Sequence, residues 1–361
     1  VFCTLEEGIK GRRALEWRLV DELVPAPSFA DTVAERAREF ATASDRPAGS
    51  GGVELTPLDR SIEKDRVSYS LVEVELDRAE HIASITINGP SESPPVDGEE
   101  AVSIGADFWP LRLARELDDA ILHLRVNELD LGVFLIRTKG DLGLVLSYDT
   151  FLLSQSDHWY VREILLYWGR LLRRFDLTSR TMIALIEPSS CFGGLLTELT
   201  LAADRSYMLI GERSDDGGPA DLAFTDANRF GFPMSNGLSR LETRFWGDPE
   251  GLARAHSVIG EKLDAEAALA AGVITDAMDD LDWDDELRMM IEERTAFSPD
   301  GLTGMEANLR FPGPETMETK IFGRLTAWQN WVFQRPNASG ESGALRRYGT
   351  GIRPDYDQRR V

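Results

Sequence analysis

The sequence predicts an α/β fold with a mostly parallel sheet, and three observations support this prediction. Segments with strand periodicity alternate with segments of helical periodicity, as expected when helices connect parallel strands. Residues 181–186 form an apolar run of strand length that leads into a turn with two glycines. The chain has 361 residues, of which 42% are hydrophobic, which is enough for about two domains with buried cores.

The predicted elements follow in order along the chain. Helical spacing of apolar residues predicts helices at residues 12–19, 30–41, 112–126 and 159–174. Alternating or continuous apolar residues predict strands at 72–76, 82–87, 132–138, 142–146 and 181–186, of which the first two form a hairpin. Glycine, serine and proline predict a linker over residues 44–57.

The charge balance argues against two classes of partner. The 39 Lys and Arg residues against 62 Asp and Glu residues give a net charge of −23. Such a field repels nucleic acid and anionic membranes, so neither is an expected partner. An anionic ligand would need a local basic site.

Residues for metal binding or disulfides are scarce. The chain has two cysteines, Cys3 and Cys191, and four histidines far apart in sequence, so we expect neither a metal site nor a disulfide framework. No apolar run approaches the roughly 18 residues of a membrane span. No signal segment is visible either, so the cytoplasm is the expected compartment. The opening Val-Phe-Cys-Thr indicates a chain that starts inside a domain.

The stretch around Glu198 carries the clearest chemical signal. The strand at 181–186 runs into Gly193 and Gly194, and a helix follows. Free N–H groups at a helix start can donate to a carbonyl oxygen that becomes negative, as in an oxyanion hole. Glu198 lies about one turn inside the helix, where a carboxylate could transfer protons. The alternative is an ordinary strand–turn–helix connection with a surface glutamate, and the residues alone favour it.

The glycine turn, Glu198-Leu199 and Asp204 together resemble the second signature of the crotonase (enoyl-CoA hydratase/isomerase) superfamily. Residues 144–149 occupy the place of the first oxyanion segment, and residues 260–275 resemble the late helix of that family. The resemblance implies a crotonase-type α/β fold, built as a ββα superhelix.

The same resemblance implies a domain organisation. Residues 11–20 repeat the pattern of residues 265–274 in the late helix. The expected parts are the tail of a first crotonase-like unit, a linker, a second crotonase-like unit, and a helical C-terminal region with an extension. They span residues 1–43, 44–66, 67–296 and 297–361.

The C-terminal strings narrow the resemblance to a branch of the superfamily, the lyases that open the ring of oxygenated benzoyl-CoA thioesters. These strings cover residues 279–288, 298–311, 324–331 and 334–338. The resemblance implies C–C lysis of the 2,3-epoxide or 2,3-dihydrodiol of benzoyl-CoA, giving 3,4-dehydroadipyl-CoA semialdehyde and formate in aerobic benzoate degradation. It implies an acyl-CoA substrate, no cofactor, and a homodimer or another homo-oligomer.

By this resemblance, the oxyanion donors would be the N–H group of Leu146 and that of Gly194 or Leu195. The catalytic carboxylate would be Glu198, assisted by Asp226 or Asp149.

Two departures from the family pattern keep alternatives open. The superfamily usually has three glycines directly before the glutamate, where this chain has Leu195, Leu196 and Thr197. No Glu lies near Asp226, where hydratases keep their second catalytic glutamate. The alternatives are a non-catalytic scaffold or dimerisation unit, and a generic enoyl-CoA hydratase or isomerase.

Overall fold

A computed structural model describes residues 6–45, 51–211 and 218–360. Cys3, the middle of the predicted linker and residues 212–217 lie outside the described residues. The chain divides into two compact units, Val1–Gly52 and Val53–Val361. The described residues of the first unit form two α-helices, α1 (Gly11–Glu16) and α2 (Phe29–Thr42), with a short 3-10 helix at Ala26–Ser28 between them. No helix in the described part has the length and apolar character needed to cross a lipid bilayer.

The second unit is built on an eight-stranded sheet with the order β1-β2-β3-β4-β5-β6-β7-β10, and β8 and β9 form a separate small sheet. The strands are β1 (Ser61–Ile62), β2 (Arg66–Ser68), β3 (Val72–Asp77), β4 (Ile82–Asn88), β5 (Val133–Lys139), β6 (Thr181–Ile186), β7 (Arg205–Ile210), β8 (Leu222–Ala223), β9 (Lys262–Leu263) and β10 (Asp276–Asp279). Strands β1 to β4 pair antiparallel, and β4, β5, β6, β7 and β10 pair parallel. The predicted α/β class is confirmed.

Two strand predictions are confirmed in detail. The hairpin pairs β3 with β4, so that Val74 lies opposite Ile85 and both side chains are buried. Strand β6 lies between β5 and β7, and all six of its residues are buried. A strand that is covered on both faces has no polar face to show, which is why its sequence is continuously apolar.

Helices cover the sheet and form the C-terminal region. They are α3 (Gly98–Ile104), α4 (Trp109–Asn127), α5 (Leu142–Ser154), α6 (Trp159–Asp176), α7 (Thr197–Ala202), α8 (Arg240–Arg244), α9 (Pro249–Ser257), α10 (Ala265–Ala270), α11 (Trp283–Thr295), α12 (Pro299–Leu309), α13 (Met317–Thr319), α14 (Thr326–Phe333), α15 (Pro336–Ser339) and α16 (Ala344–Arg347). Helices α4 and α6 pack together, and the buried Trp168 Nε1 donates to the Pro110 carbonyl at 2.9 Å.

The strand predicted at residues 142–146 is wrong, because this run forms the first turns of α5. The side chain of Asp141 caps that helix by accepting a hydrogen bond from the Leu144 N–H at 3.0 Å. A short apolar run is compatible with either a strand or a buried helix. Here the N-cap selects the helix, since it satisfies a backbone donor that otherwise has no partner.

Some predicted boundaries also shift. Helix α1 ends at Glu16 rather than at residue 19, and Arg18 adopts a left-handed conformation with φ of 56°. Ser61 and Ile62, in the predicted linker, pair with Ser68 and Val67 in the main sheet. The boundary between the two compact units lies after Gly52.

Candidate functional site

The glycine turn after β6 packs tightly against α5. A Cβ atom added to Gly193 would lie 2.7 Å from the Leu142 Cδ1 atom and 3.1 Å from the Leu146 Cδ2 atom. Gly194 has a φ of 43°, and a Cβ atom there would collide with the Asp149 carboxylate. Both glycines are therefore required for close approach between the turn and α5, and Gly194 also for its left-handed backbone.

Asp149 holds the backbone that follows this turn. Its Oδ1 atom accepts a hydrogen bond from the Leu195 N–H at 3.0 Å, and its Oδ2 atom accepts one from the Thr225 hydroxyl. The carboxyl group is only 3% exposed. Burial raises the pKa of Asp149, the bonds from Thr225 and Leu195 lower it, and the nearby Asp226 raises it. One predicted oxyanion donor, the Leu195 N–H, thus donates to a carboxylate of the chain itself.

Glu198 lies in the first turn of α7 and is 1% exposed. Its Oε1 atom accepts a hydrogen bond from the Asn228 side-chain amide at 2.9 Å. Its Oε2 atom accepts one from the Arg240 Nη1 at 2.9 Å. Both carboxylate oxygens therefore bond to groups of the protein.

Arg240, the first residue of α8, joins Glu198 to a second buried carboxylate. Its Nη2 atom lies 2.6 Å from the Asp176 Oδ2, at the end of α6, and its Nη1 atom also donates to the Phe232 carbonyl at 3.1 Å. Burial raises the pKa values of Glu198 and Asp176, and Arg240 opposes that rise in both. Two carboxylates share a single guanidinium, so the cluster is short of positive charge.

Asn228 fixes the orientation of this network. Its amide group donates to the Gly194 carbonyl as well as to Glu198, both at 2.9 Å. Its Oδ1 atom accepts from the Thr225 N–H at 2.9 Å and from the Thr197 hydroxyl at 3.2 Å. Rotating the amide by 180° would place like groups against each other at the bonds with Gly194, Glu198 and the Thr225 N–H, so its orientation is determined.

The remaining predicted residues lie around this centre. Leu146 is in the second turn of α5, where a backbone N–H bonds to the carbonyl four residues earlier. Asp226 is exposed, and its Oδ1 atom lies 3.7 Å from the Arg229 Nη1. The structure thus brings Asp149, Gly194, Leu195 and Glu198 together, with Asp226 at the solvent side.

The residues alone favoured a surface position for the Glu198 side chain. That prediction is wrong, because α6, α7 and α8 enclose the side chain. The sequence reasoning also missed the partners of Glu198, namely Asp176, Asn228 and Arg240. None belongs to a recognisable motif, and no local pattern connects them.

A cavity of about 350 Å³ lies at the end of β4, beside α5. Its lining residues include one cationic group, Arg112, and three aromatic rings, those of Phe108, Trp109 and Tyr148. Cys191 is fully buried in the core, and burial raises the pKa of its thiol to about 11, which keeps it protonated at neutral pH. Within residues 6–45, 51–211 and 218–360, no group of three or more His, Cys, Asp or Glu residues could hold a metal ion.

Solved structures with the same architecture are enoyl-CoA hydratases. The chain superposes on an enoyl-CoA hydratase from Geobacillus kaustophilus HTA426 with a TM-score of 0.54 and 15% identity, covering 84% of this chain and 100% of that one. For one from Mycobacterium smegmatis the TM-score is 0.55 and the identity 12%, over 79% and 98% of the two chains. The fold is that of the enoyl-CoA hydratases. An enoyl-CoA hydratase/isomerase from Cupriavidus metallidurans CH34 agrees, with a TM-score of 0.53, 18% identity, and 80% and 96% of the two chains covered.

One curated protein is similar in sequence over the whole chain. Benzoyl-CoA-dihydrodiol lyase from Aromatoleum evansii is 46% identical over 362 residues, which cover 100% of this chain and 64% of that protein. The chain thus spans less than two thirds of the length of this relative. No protein-family model matches the sequence.

Proposed function

We propose that the protein to which this chain belongs is a lyase that opens the ring of an oxygenated, dearomatised benzoyl-CoA. The substrate is the 2,3-epoxide or the 2,3-dihydrodiol of benzoyl-CoA, and the products are 3,4-dehydroadipyl-CoA semialdehyde and formate. The epoxide would take up two water molecules and the dihydrodiol one, so that all atoms are accounted for. The proposed reaction uses no cofactor. Its proposed compartment is the cytoplasm.

The observation that carries this proposal is the 46% identity with a benzoyl-CoA-dihydrodiol lyase along the entire chain. The solved enoyl-CoA hydratases share only the fold, at 12–18% identity, so they support the architecture and not the substrate. This difference favours the ring-opening lyase over a generic hydratase or isomerase.

Within this proposal, the candidate site would act through oxyanion donors and a carboxylate. N–H groups of Leu146 and of Gly194 or Leu195 would hold the thioester oxygen, and Glu198 with Asp149 or Asp226 would transfer protons or position water. One such donor contributes about 3–4 kcal/mol to lowering a barrier. The chemistry would require the Leu195 N–H to exchange its bond to Asp149, and the Leu146 N–H to exchange its helical bond in α5, for bonds to the substrate.

A second candidate role is a non-catalytic unit that supports or dimerises the protein. The specific observation in its favour is the enclosure of Glu198, which is 1% exposed and bonded through both oxygens. A general acid or base must come within hydrogen-bond reach of its substrate. In the network described, only Asp226 among the proposed carboxylates faces solvent.

The exposed Asp226 gives a test that separates the two roles. Full-length protein would be assayed for ring-cleavage product from the benzoyl-CoA epoxide, as wild type, Asp226→Asn and Glu198→Gln. A catalytic unit predicts that both variants lose most turnover per folded molecule, while Asp226→Asn keeps wild-type stability. A supporting unit predicts wild-type turnover in Asp226→Asn, and a loss in Glu198→Gln that follows the folded fraction alone. Absence of ring-cleavage product from the wild-type protein would contradict the lyase proposal itself.

The domain organisation stated above and self-association are part of the same proposal. Residues 265–274, the second copy of the internal repeat, include α10 of the fold, which supports residues 1–43 as the tail of a preceding unit.

Apolar side chains around α13 and α14 are exposed, including Met317, Phe322 and Phe333, as expected of a surface that packs against another subunit. Sedimentation-velocity centrifugation would measure the oligomeric state, and a monomer at micromolar concentration would contradict the proposed self-association.

A further inference from the structure

A second cavity, of about 440 Å³, lies away from the glycine turn. Its walls include Ala203 and Asp204 after α7 and Arg205 at the start of β7. It therefore opens at the starting ends of the parallel strands, whereas the glycine turn follows the finishing end of β6. The cavity meets the network of Glu198 only through Asp176 and Arg240, which are common to both.

The cavity concentrates positive charge in a protein whose net charge is −23. Five arginines and three acidic residues line it. Arg240 pairs with Asp176 at 2.6 Å, and Arg310 pairs with Asp204 at 2.9 Å and with Glu306 at 3.2 Å. The other three arginines form no ion pair with any residue that the structure describes: Arg205, Arg244 and Arg294.

The surroundings of Arg244 do not compensate its charge. Arg244 donates to the backbone carbonyls of Gly272 and Ile274, at 2.7 and 3.0 Å. Desolvation and the charge of Arg205 lower the pKa of Arg244, which places the two guanidinium groups near each other. Like charges in one cavity repel, and a bound anion would remove that repulsion.

Two buried polar atoms of the same walls have no hydrogen-bond partner in the described part of the chain. They are the Arg294 Nε and the Thr243 Oγ1, and both can donate a hydrogen bond. Buried polar atoms are almost always paired in folded proteins, and an unpaired one calls for an explanation such as a ligand.

Apolar side chains also line the cavity. They are Leu302, Met305 and Leu309 of α12, together with Met234. A bare inorganic anion would use only the arginines, whereas an organic anion with a short apolar body would contact the apolar side chains as well. Arginine binds carboxylates with paired, planar hydrogen bonds. We propose that this cavity binds a small organic carboxylate, with the carboxylate on Arg205, Arg244 and Arg294 and the apolar body against α12.

Titration calorimetry on the full chain tests this site, with hexanoate as the probe and constant ionic strength. We expect one hexanoate per chain. Arg205→Gln and Arg294→Gln each remove one charged partner of the carboxylate. Each variant should bind hexanoate about tenfold more weakly, or weaker still. The matched control is Arg288→Gln, because Arg288 also lies on α11 but pairs with Glu292 outside the cavity. Hexanol, which has the apolar body without the charge, should not bind.

Glu306 adds a readout that a purely structural role would not produce. Burial and the nearby Asp204 raise its pKa to about 7, against the lowering effect of Arg310, and Arg180 also faces it. The ionised form repels a carboxylate ligand, so hexanoate affinity should fall as the pH rises from about 6 to about 8. Glu306→Gln should bind hexanoate with an affinity that no longer changes over this range, since hexanoate itself stays ionised.

Three outcomes would overturn the proposal. The first is no heat with hexanoate up to about 10 mM, above the millimolar affinities of weak sites. The second is unchanged affinity in Arg205→Gln and Arg294→Gln when thermal unfolding shows both variants folded. The third is tighter binding of inorganic phosphate than of hexanoate, which would replace the organic carboxylate with a phosphate ligand.

Discussion

Removing the guanidinium of Arg240 should strongly destabilise the second unit. Arg240→Met keeps an unbranched side chain of similar length but leaves Asp176 and Glu198 without their cation, at side-chain exposures of 1% each. The Phe232 carbonyl also loses a donor. Breaking a buried ion pair by removing one partner costs about 3–5 kcal/mol, and we expect that loss in the free energy of unfolding at pH 7.5.

The pH dependence of this loss follows from the same geometry. Without Arg240 the two carboxylates lose the main group that opposes their desolvation, although Asn228 still donates to Glu198 and the charge of Arg310 still acts on Asp176. Their pKa values therefore rise further, and the folded variant takes up protons as the pH falls. One pH unit corresponds to 1.36 kcal/mol for each proton taken up. Between pH 7.5 and 5.5 the destabilisation should therefore shrink by up to about 2.7 kcal/mol for one carboxylate.

Urea unfolding followed by tryptophan fluorescence measures both quantities, because every tryptophan except Trp17 lies in the second unit. The control is Arg288→Met, whose exposed ion pair on α11 should contribute less than about 0.5 kcal/mol. Adding Asp176→Asn and Glu198→Gln to Arg240→Met should restore part of the stability. A loss below about 1 kcal/mol at pH 7.5, or a loss that does not shrink at pH 5.5, would refute the reasoning.

Three further predictions follow from other parts of the structure. Gly194→Ala should cost about 1–3 kcal/mol more in unfolding free energy than Gly237→Ala, because both have positive φ but only a Cβ at Gly194 meets the Asp149 carboxylate; equal losses in urea titrations would contradict this. The folded state holds the Glu306 proton more tightly than the unfolded chain, with a pKa of about 7 instead of 4.5. Stability should therefore fall as the pH rises through this window, and the wild type should lose roughly 1–3 kcal/mol relative to Glu306→Gln between pH 5 and 8; parallel stability–pH curves would count against it. Affinity for CoA, measured by calorimetry, should weaken markedly with rising salt, since surface phosphate contacts are screened within roughly 8–10 Å; binding that does not change with salt would argue against a basic CoA site.

The local pattern of the sequence was sufficient to predict most of the helices and strands discussed above. The hairpin of β3 and β4 and the helices α4 and α6 each carry their periodicity within a single segment, and the six buried residues of β6 form one continuous apolar run. Side-chain direction repeats every two residues in a strand and every 3.6 in a helix, so burial on one face marks the sequence directly. The motif around Glu198 likewise sufficed to predict the crotonase-type fold.

Only the tertiary structure decided what Glu198 does in this fold. Its partners Asn228 and Arg240 lie 30 and 42 residues further along the chain, and Asp176 precedes it on another helix. The Leu195 N–H, free at the start of an isolated helix, donates to Asp149 across the turn. The run at 142–146 became a helix through the cap at Asp141. Contacts between distant segments depend on how the elements pack around one core, and periodicity within one segment does not encode that packing.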